Sequence, residues 1–263
     1  MDVRPAQGPG SYFERGNDMM NMNGYLYDPH THTAETSKCG HLFAADVVDR
    51  YVRNGFTGLV VTDHLHPEYL SRIDTEHNWD KVMDHYLSGY HASKKRGDEV
   101  GLDVLLGAEF RFPENDNDYL VYGIDEQWLR SNPYACCMSA QEFYDKFHDQ
   151  VLIIHAHPFR KGSAPVQETA IHGAEIINDN PRHENNNDKA LEMCRRHPEY
   201  YRLAGSDTHR DGDEARAGVI LPERVKDSRA YKHMIETMQF QLWCPEFPDI
   251  LAADAEMRKE NNK

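Results

Sequence analysis

The sequence predicts an α/β fold, a largely parallel sheet covered by helices and closed into a TIM-like barrel. Three observations carry that expectation. Short apolar runs alternate with helical patterns almost throughout the chain, as they do in strand–helix–strand units. About seven such runs fall within the 263 residues, which favours one closed barrel over two domains. Polar side chains of metal-ligand type recur just beyond those runs, where a barrel carries its active face.

Residues 1–22 are rich in Gly, Pro, Asn and Met without periodicity and read as a loose N-terminal tail, with Met19 or Met22 as candidate later starts. Residues 23–263 read as a single barrel domain. The first strand is 24–28, followed by a polar loop at 33–41. Ala44, Val47, Val48, Tyr51 and Val52 are spaced as one face of a helix over 44–54, which Gly55 stops. Residues 58–62 form a buried-type strand, 79–96 a helix closed by Gly97, 102–107 a strand and 119–122 another. Ser139 with Glu142 three residues on is a capping box opening a helix over 139–149. Strands follow at 151–154, 174–177 and 201–204, with a helix at 187–197 ended by Pro198. The remainder reads as a short strand at 219–221, a helix at 228–238 and a polar tail.

With Lys+Arg 29 against Asp+Glu 44, the net charge is −15. That balance argues against a surface for a nucleic-acid backbone. A small anionic substrate stays compatible, because bound divalent cations reverse the field inside a pocket. Five cysteines, Cys39, Cys136, Cys137, Cys194 and Cys244, have no zinc-finger spacing and read as reduced thiols. No apolar signal core or membrane-length run is present, so the expectation is a soluble cytoplasmic protein, with oligomeric state unread.

The residues beyond the predicted strand ends are His30 and His32, then Asp63 and His64, then Glu109, then His155 and His157, then Asp207 and His209. Side chains alternate along a strand, so His30 and His32 share a face. Imidazoles and carboxylates are the ligand set of zinc, iron or manganese. A carboxylate such as Glu109 can bridge two cations, and clustered cations ionise a bound water and clamp substrate oxygens. That is equipment for hydrolysing a phosphoester, an amide or an ester.

Five motifs in order, His30-Thr31-His32, Thr62-Asp63-His64, Gly107-Ala108-Glu109, Ala156-His157-Pro158 and Gly205-Ser206-Asp207-Thr208-His209, resemble the PHP (polymerase and histidinol phosphatase) family. The likeness runs from about Asp28 to Gly218. It is also similar to a less characterised bacterial branch, through Glu35-Thr36-Ser37-Lys38-Cys39-Gly40, the run 116–123, Ala156-His157-Pro158-Phe159-Arg160 and Asn180-Pro181-Arg182-His183. The resemblance implies a distorted (βα)7 barrel and a metal-dependent phosphoesterase with two or three divalent ions, zinc, manganese or iron. It implies a first metal on His30, His32, Glu109 and Asp207, a second shared by Glu109 and His157, and a third on His64 and His209. Members with three metals carry an Asp or His six residues after the second His, where this chain has Lys38, with Cys39 and His41 nearby. They also carry a His after the strand that follows the bridging Glu, where this chain runs into Gly123-Ile124-Asp125.

Other residues have two readings each. Asp63 either orients a ligand His or binds backbone, or else touches metal. His155 either supports the site or packs in the core, and His41 and Cys39 are either ligands or ordinary loop residues. Arg160 and Arg182 suit a phosphate or are solvated, and His183 either protonates a leaving group or is a surface side chain. Lys38 either contacts an anion or is exposed. The acidic run 114–118 reads as a solvated turn, and the apolar face of 79–96 as core. Together these predict hydrolysis of a small phosphomonoester, with Glu109, Asp207, Arg160 and His183 as the catalytic set. The alternatives are a phosphodiesterase or exonuclease on short nucleic acid, a non-catalytic metal-binding sensor or scaffold, and an amidohydrolase, whose ligand pattern fits these motifs less well.

Overall fold

The computed structural model describes residues 24–74, 76–164 and 166–261, so the expected tail at 1–22 lies outside the described residues. The strands are β1 (Tyr25–Thr31), β2 (Gly58–Val61), β3 (His64–Leu65), β4 (Asp103–Leu106), β5 (Ala108–Arg111), β6 (Asp118–Tyr122), β7 (Leu152–His155), β8 (Gly173–Asn178), β9 (Tyr201–Gly205), β10 (Gly218–Leu221) and β11 (Gln241–Trp243). They pair into a five-stranded sheet ordered β11-β10-β1-β2-β4 and a six-stranded sheet ordered β3-β5-β6-β7-β8-β9. The helices are α1 (Ala44–Arg53), α2 (Pro67–Ile73), α3 (Trp79–Tyr86), α4 (Ser88–Val100), α5 (Glu126–Ser131), α6 (Ala140–Phe147), α7 (Asn187–Arg196), α8 (Ser228–Glu236) and α9 (Pro248–Asn261).

The expected closed barrel is corrected to two mixed sheets that abut. At one side β2 leads into β3 and β4 into β5, and backbone bonds cross the breaks from Thr62 N to Thr31 O (2.8 Å) and from Glu109 N to Asp63 O (3.1 Å). At the other side β1 meets the chain after β9 in one parallel bridge, Thr31 with Thr208. The ladder is interrupted at Thr62-Asp63, Gly107 and Ser206-Asp207, beside the polar residues singled out above. There side chains take over ladder bonds. Thr33 N donates to Asp63 Oδ1 (2.8 Å), Thr31 N to Thr62 Oγ1 (3.2 Å) and Ser206 N to Asp28 Oδ1 (3.2 Å). Buried backbone donors must be satisfied, and these substitutions let the strands end without a continuous ring.

The sheet is also less parallel than predicted. β6 runs antiparallel to both β5 and β7, and β10 antiparallel to β1. Only six residues separate β5 from β6, too few for a parallel crossover. The start of β6, rather than its end, therefore lies beside the end of β5.

The larger core lies against the six-stranded sheet, where Phe110, Phe112, Phe143, Phe147, Tyr122 and Leu152 pack together. A smaller one, with Val47, Val48, Tyr51, Leu59 and Val104, lies under α1 and α4. The helix expected over 79–96 is two helices, α3 and α4, that meet at Leu87. Gly97 does not stop α4. A Cβ there would lie 2.6 Å from Leu102 O, so Gly97 is where α4 presses on the sheet, and Gly101, at φ +82°, ends the helix. The expected polar C-terminal tail is β11 and α9. Arg202, fully buried on β9, donates to Asp254 of α9 (2.5 Å), and a buried guanidinium requires such a partner. No helix among the described residues is long and apolar enough to cross a membrane.

Candidate metal centre

Strand β1 is buried along Leu26–Thr31, and its alternation aims His30 and His32 at one point. Glu109 on β5 meets them there. Its Oε1 lies 3.4 Å from His30 Nε2 and 3.2 Å from His157 Nε2, and its Oε2 lies 3.2 Å from His32 Nε2 and 3.0 Å from His64 Nδ1. One carboxylate thus sits between two pairs of imidazoles. Asp207 Oδ1 lies 3.4 Å from both His30 Nε2 and His32 Nε2 and 3.2 Å from His209 Nδ1. The fold brings all seven expected metal-ligating residues into this one cluster. Gly205 lets β9 approach, since a Cβ there would lie 2.6 Å from Glu175 Oε1 and 2.8 Å from His30 Cβ. His157 and Asp207 are held at φ +30° and +54°, where residues other than glycine rarely sit. Such strain concentrates at functional positions.

Hydrogen bonds fix the imidazole tautomers. His30 Nδ1 donates to Glu175 Oε1 (3.0 Å), because a carboxylate only accepts, and this leaves Nε2 as a lone pair facing the centre. His209 Nδ1 likewise donates to the Asp207 carbonyl (2.9 Å). The Ser37 hydroxyl donates to Asp63 Oδ1 (2.6 Å), so its oxygen is left to accept from His32 Nδ1 (3.4 Å). Asp63 therefore organises Thr33 and Ser37 behind His32, the orienting and backbone-binding side of its alternatives. Glu175 also accepts from His157 N (3.0 Å) and from Asn178 Nδ2 (2.9 Å).

The electrostatics call for positive charge. Burial alone would raise the Glu109 and Asp207 carboxyls, yet both lie well below the usual range, Glu109 through His64 and His30 and Asp207 through Arg160 and His30. Burial alone would lower the imidazoles of His30, His64 and His209, yet all three are raised, His209 to about 10, by Asp207 or Glu109 beside them. Without a cation, protons on imidazole would have to supply that charge.

The residues fit divalent metal. His30 Nε2, His32 Nε2, His64 Nδ1 and Glu109 Oε2 are buried without a hydrogen-bond partner, although they face one another. Buried polar atoms are rarely left so. Four groups of three, His30-His32-Glu109, His30-His157-Asp207, His32-His64-His209 and His64-Glu109-Asp118, each bring one ligand atom within 4.8 Å of the others. Ligands bonded to one ion at about 2.1 Å stand about 3.0–3.4 Å apart, the range of the spacings above.

The other candidates fall on both sides of their alternatives. The Arg160 guanidinium reaches the centre, but its Nη2 pairs with Asp207 Oδ2 and also donates to Asn178 Oδ1 (3.1 Å). Arg182 is held away by Asp213 (2.8 Å). His183 is exposed and makes no side-chain hydrogen bond among the described residues. Partial burial and Arg160 hold it down at about 4, so it is neutral at pH 7. His155 packs on Tyr119 with ring centroids 5.0 Å apart, the core reading. His41 and Lys38 are exposed, whereas Cys39 is half-buried and bonds to both His209 and His64.

Two acidic residues were missed. Glu175 interrupts the apolar run Gly173–Asn178, and a carboxylate inside a buried strand was a signal that it needs a partner. Asp118 belongs to the run read as a solvated turn. It is instead buried at the start of β6, its Oδ2 3.9 Å from His157 Nε2, and it pairs with Arg111. Because β6 is antiparallel, the residue it brings to the centre is Asp118 at its start, and Gly123 lies past the far end of the strand.

No protein-family model matches the sequence, and no curated protein matches it. Solved structures do. A two-domain protein from Bacteroides vulgatus containing a predicted PHP-like metal-dependent phosphoesterase superposes with a TM-score of 0.62 at 15% identity, covering 89% of this chain and 69% of that one. PsfC from Pseudomonas syringae superposes with a TM-score of 0.57 at 14% identity, covering 91% of this chain and 99% of that one. The chain is thus structurally similar to a PHP-like metal-dependent phosphoesterase, and at these identities the likeness is one of fold.

Proposed function

We propose that the chain is a PHP-type metal-dependent phosphoesterase that hydrolyses a small phosphomonoester with two or three divalent ions of zinc, manganese or iron. The observation that carries this reading is Glu109 between His30 and His157 on one oxygen and His32 and His64 on the other, with unpartnered nitrogens turned inward. His30, His32, Glu109, His157 and Asp207 would hold the inner ions, and His64 and His209 the outer one. When bound, such ions acidify a coordinated water and neutralise phosphoryl oxygens.

The chain's own groups set up that chemistry. Glu175 keeps the proton of His30 on Nδ1, and the Asp207 carbonyl does the same for His209. Arg160 binds Asp207 Oδ2 and thereby keeps Oδ1 turned to His30 and His32. Its guanidinium also adds a fixed positive charge beside the site, where phosphate charge builds up in the transition state. His183, neutral at pH 7, is a weak choice for donating a proton and a better one for accepting it.

The net charge of −15 counts against an extended nucleic acid as the substrate, and the intact first-metal set of His30, His32, Glu109 and Asp207 counts against a degenerate scaffold. A cytoplasmic setting suits the five free cysteines. The test is phosphate release from a panel of phosphorylated metabolites by protein reconstituted separately with zinc, manganese and iron, with bound metal measured alongside. Turnover with at least one metal is expected. Bound metal with no turnover on monoesters or on a labelled oligonucleotide would overturn the enzyme reading in favour of a sensor.

A further inference from the structure

Beside the metal centre a cavity of about 400 Å³ opens, and His64 forms part of its wall. That volume suits a small-metabolite group. The charges around it are unlike those of the chain as a whole. Lys38, Arg72, Arg111 and Arg210 line it, against Glu68 as the only carboxylate in the wall among the described residues. Arg111 is already matched, its Nε and Nη2 held by the two oxygens of Asp118 at 2.8 and 2.9 Å. Lys38, Arg72 and Arg210 are not, since no carboxylate among the described residues pairs with any of them. Arg72 rests instead toward the ring of the buried Tyr69, 6.0 Å from its centroid.

In a chain carrying 44 acidic and 29 basic side chains, three exposed cations around one cavity, unpaired among the described residues, offer an anion a place to bind. The cation already facing the metal centre is Arg160, through its pair with Asp207. Two guanidiniums and an ammonium at the mouth are suited to phosphate or carboxylate oxygens, which guanidinium binds through paired hydrogen bonds.

We infer that this cavity is a second anion subsite, and that the substrate is a phosphomonoester bearing a further phosphate or carboxylate group, recognised by Lys38, Arg72 and Arg210. The inference rests on the phosphoesterase reading for its reaction but not for its binding. Ethyl phosphate, phosphoglycolate and propanediol bisphosphate separate the cases, because they share a phosphomonoester and differ in the second group.

The expected result is kcat/KM about 10–100-fold higher for one of the doubly anionic compounds than for ethyl phosphate, the worth of one or two charge-assisted hydrogen bonds. The compound preferred tells carboxylate from phosphate. In the double variant Arg72→Met/Arg210→Met that preference should collapse toward one, mainly through KM, with metal content as in the wild type. Equal kcat/KM for all three compounds, or a preference that survives the double variant, overturns the subsite. If no compound is hydrolysed, the reaction assignment fails, and calorimetric binding of propanediol bisphosphate to the metal-loaded protein decides the subsite. Binding lost in the double variant supports it, and binding absent from the wild type or equal in both overturns it.

Discussion

The two sides of the metal centre are built differently. On the inner side, His30, His32 and Asp207 are at most 1% exposed, and each is held from behind, His30 by Glu175, His32 by Ser37 and Asp207 by Arg160. On the outer side, the His64 side chain is 17% exposed and lines the open cavity together with the half-buried Cys39. Enclosed ligand sets retain an ion, whereas sites that exchange water or substrate keep an open position. On the proposed metal centre, the difference would give retention to the inner side and exchange of ligands to the outer side, with Glu109 reaching both.

The substitution with the largest expected effect is Glu109→Gln, which touches both sides at once. It should abolish turnover and lower bound metal by at least one equivalent, measured by elemental analysis. Retention of both activity and metal would break the comparison at its centre. His64→Ala should act on one side only, lowering turnover and losing the outer ion while the inner ion stays. Equal loss from both sides would mean that they are not separable. Glu175→Gln removes a support and not a ligand, so metal affinity should fall about 10–100-fold with the stoichiometry intact. Affinity should also rise with pH, because His209, raised to about 10, and His30, raised as well, must give up protons as metal binds. Titrations at several pH values check the sign, and an affinity that falls with pH would exclude proton displacement.

The sequence made the ligands legible because they lie two or three residues past the apolar runs, close to where the ladder becomes irregular or breaks. His30, His64, Glu109, His157 and Asp207 all have that address. Glu175 has none. It lies inside β8, where the register shifts between Glu175 and Ile177, and only the location of His30 explains it. Asp118 escapes the pattern because β6 runs antiparallel to β5 and β7, which brings the start of the strand and not its end to the centre. Closure of the barrel was over-read for a related reason. Strand count does not reveal that Asp28, Thr62 and Asp63 side chains substitute for ladder bonds at the seams. The split at Leu87 leaves the apolar spacing of α3 and α4 nearly continuous, so periodicity alone reads one helix.

The smallest expected effect is a reactivity difference, and it bears on the outer side alone. Burial alone would raise the Cys39 thiol, but His209 and His64 bring it down to about 5. Cys194 and Cys244 have no such neighbours, and burial pushes them up to about 12. Cys137, exposed, is lowered to about 7 by its bond with Cys136. The thiolate is the reactive form. In metal-free protein, alkylation of Cys39 should therefore stay fast as pH falls from 8 until about 5, whereas that of Cys137 should already decline below about 7. Mass spectrometry of the modified peptides reads both rates. Loading with divalent metal should protect Cys39, which touches two outer ligands, and leave Cys137 unchanged. Protection of neither thiol would detach Cys39 from the centre, and the outer side would then consist of His64 and His209 without a thiol beside them.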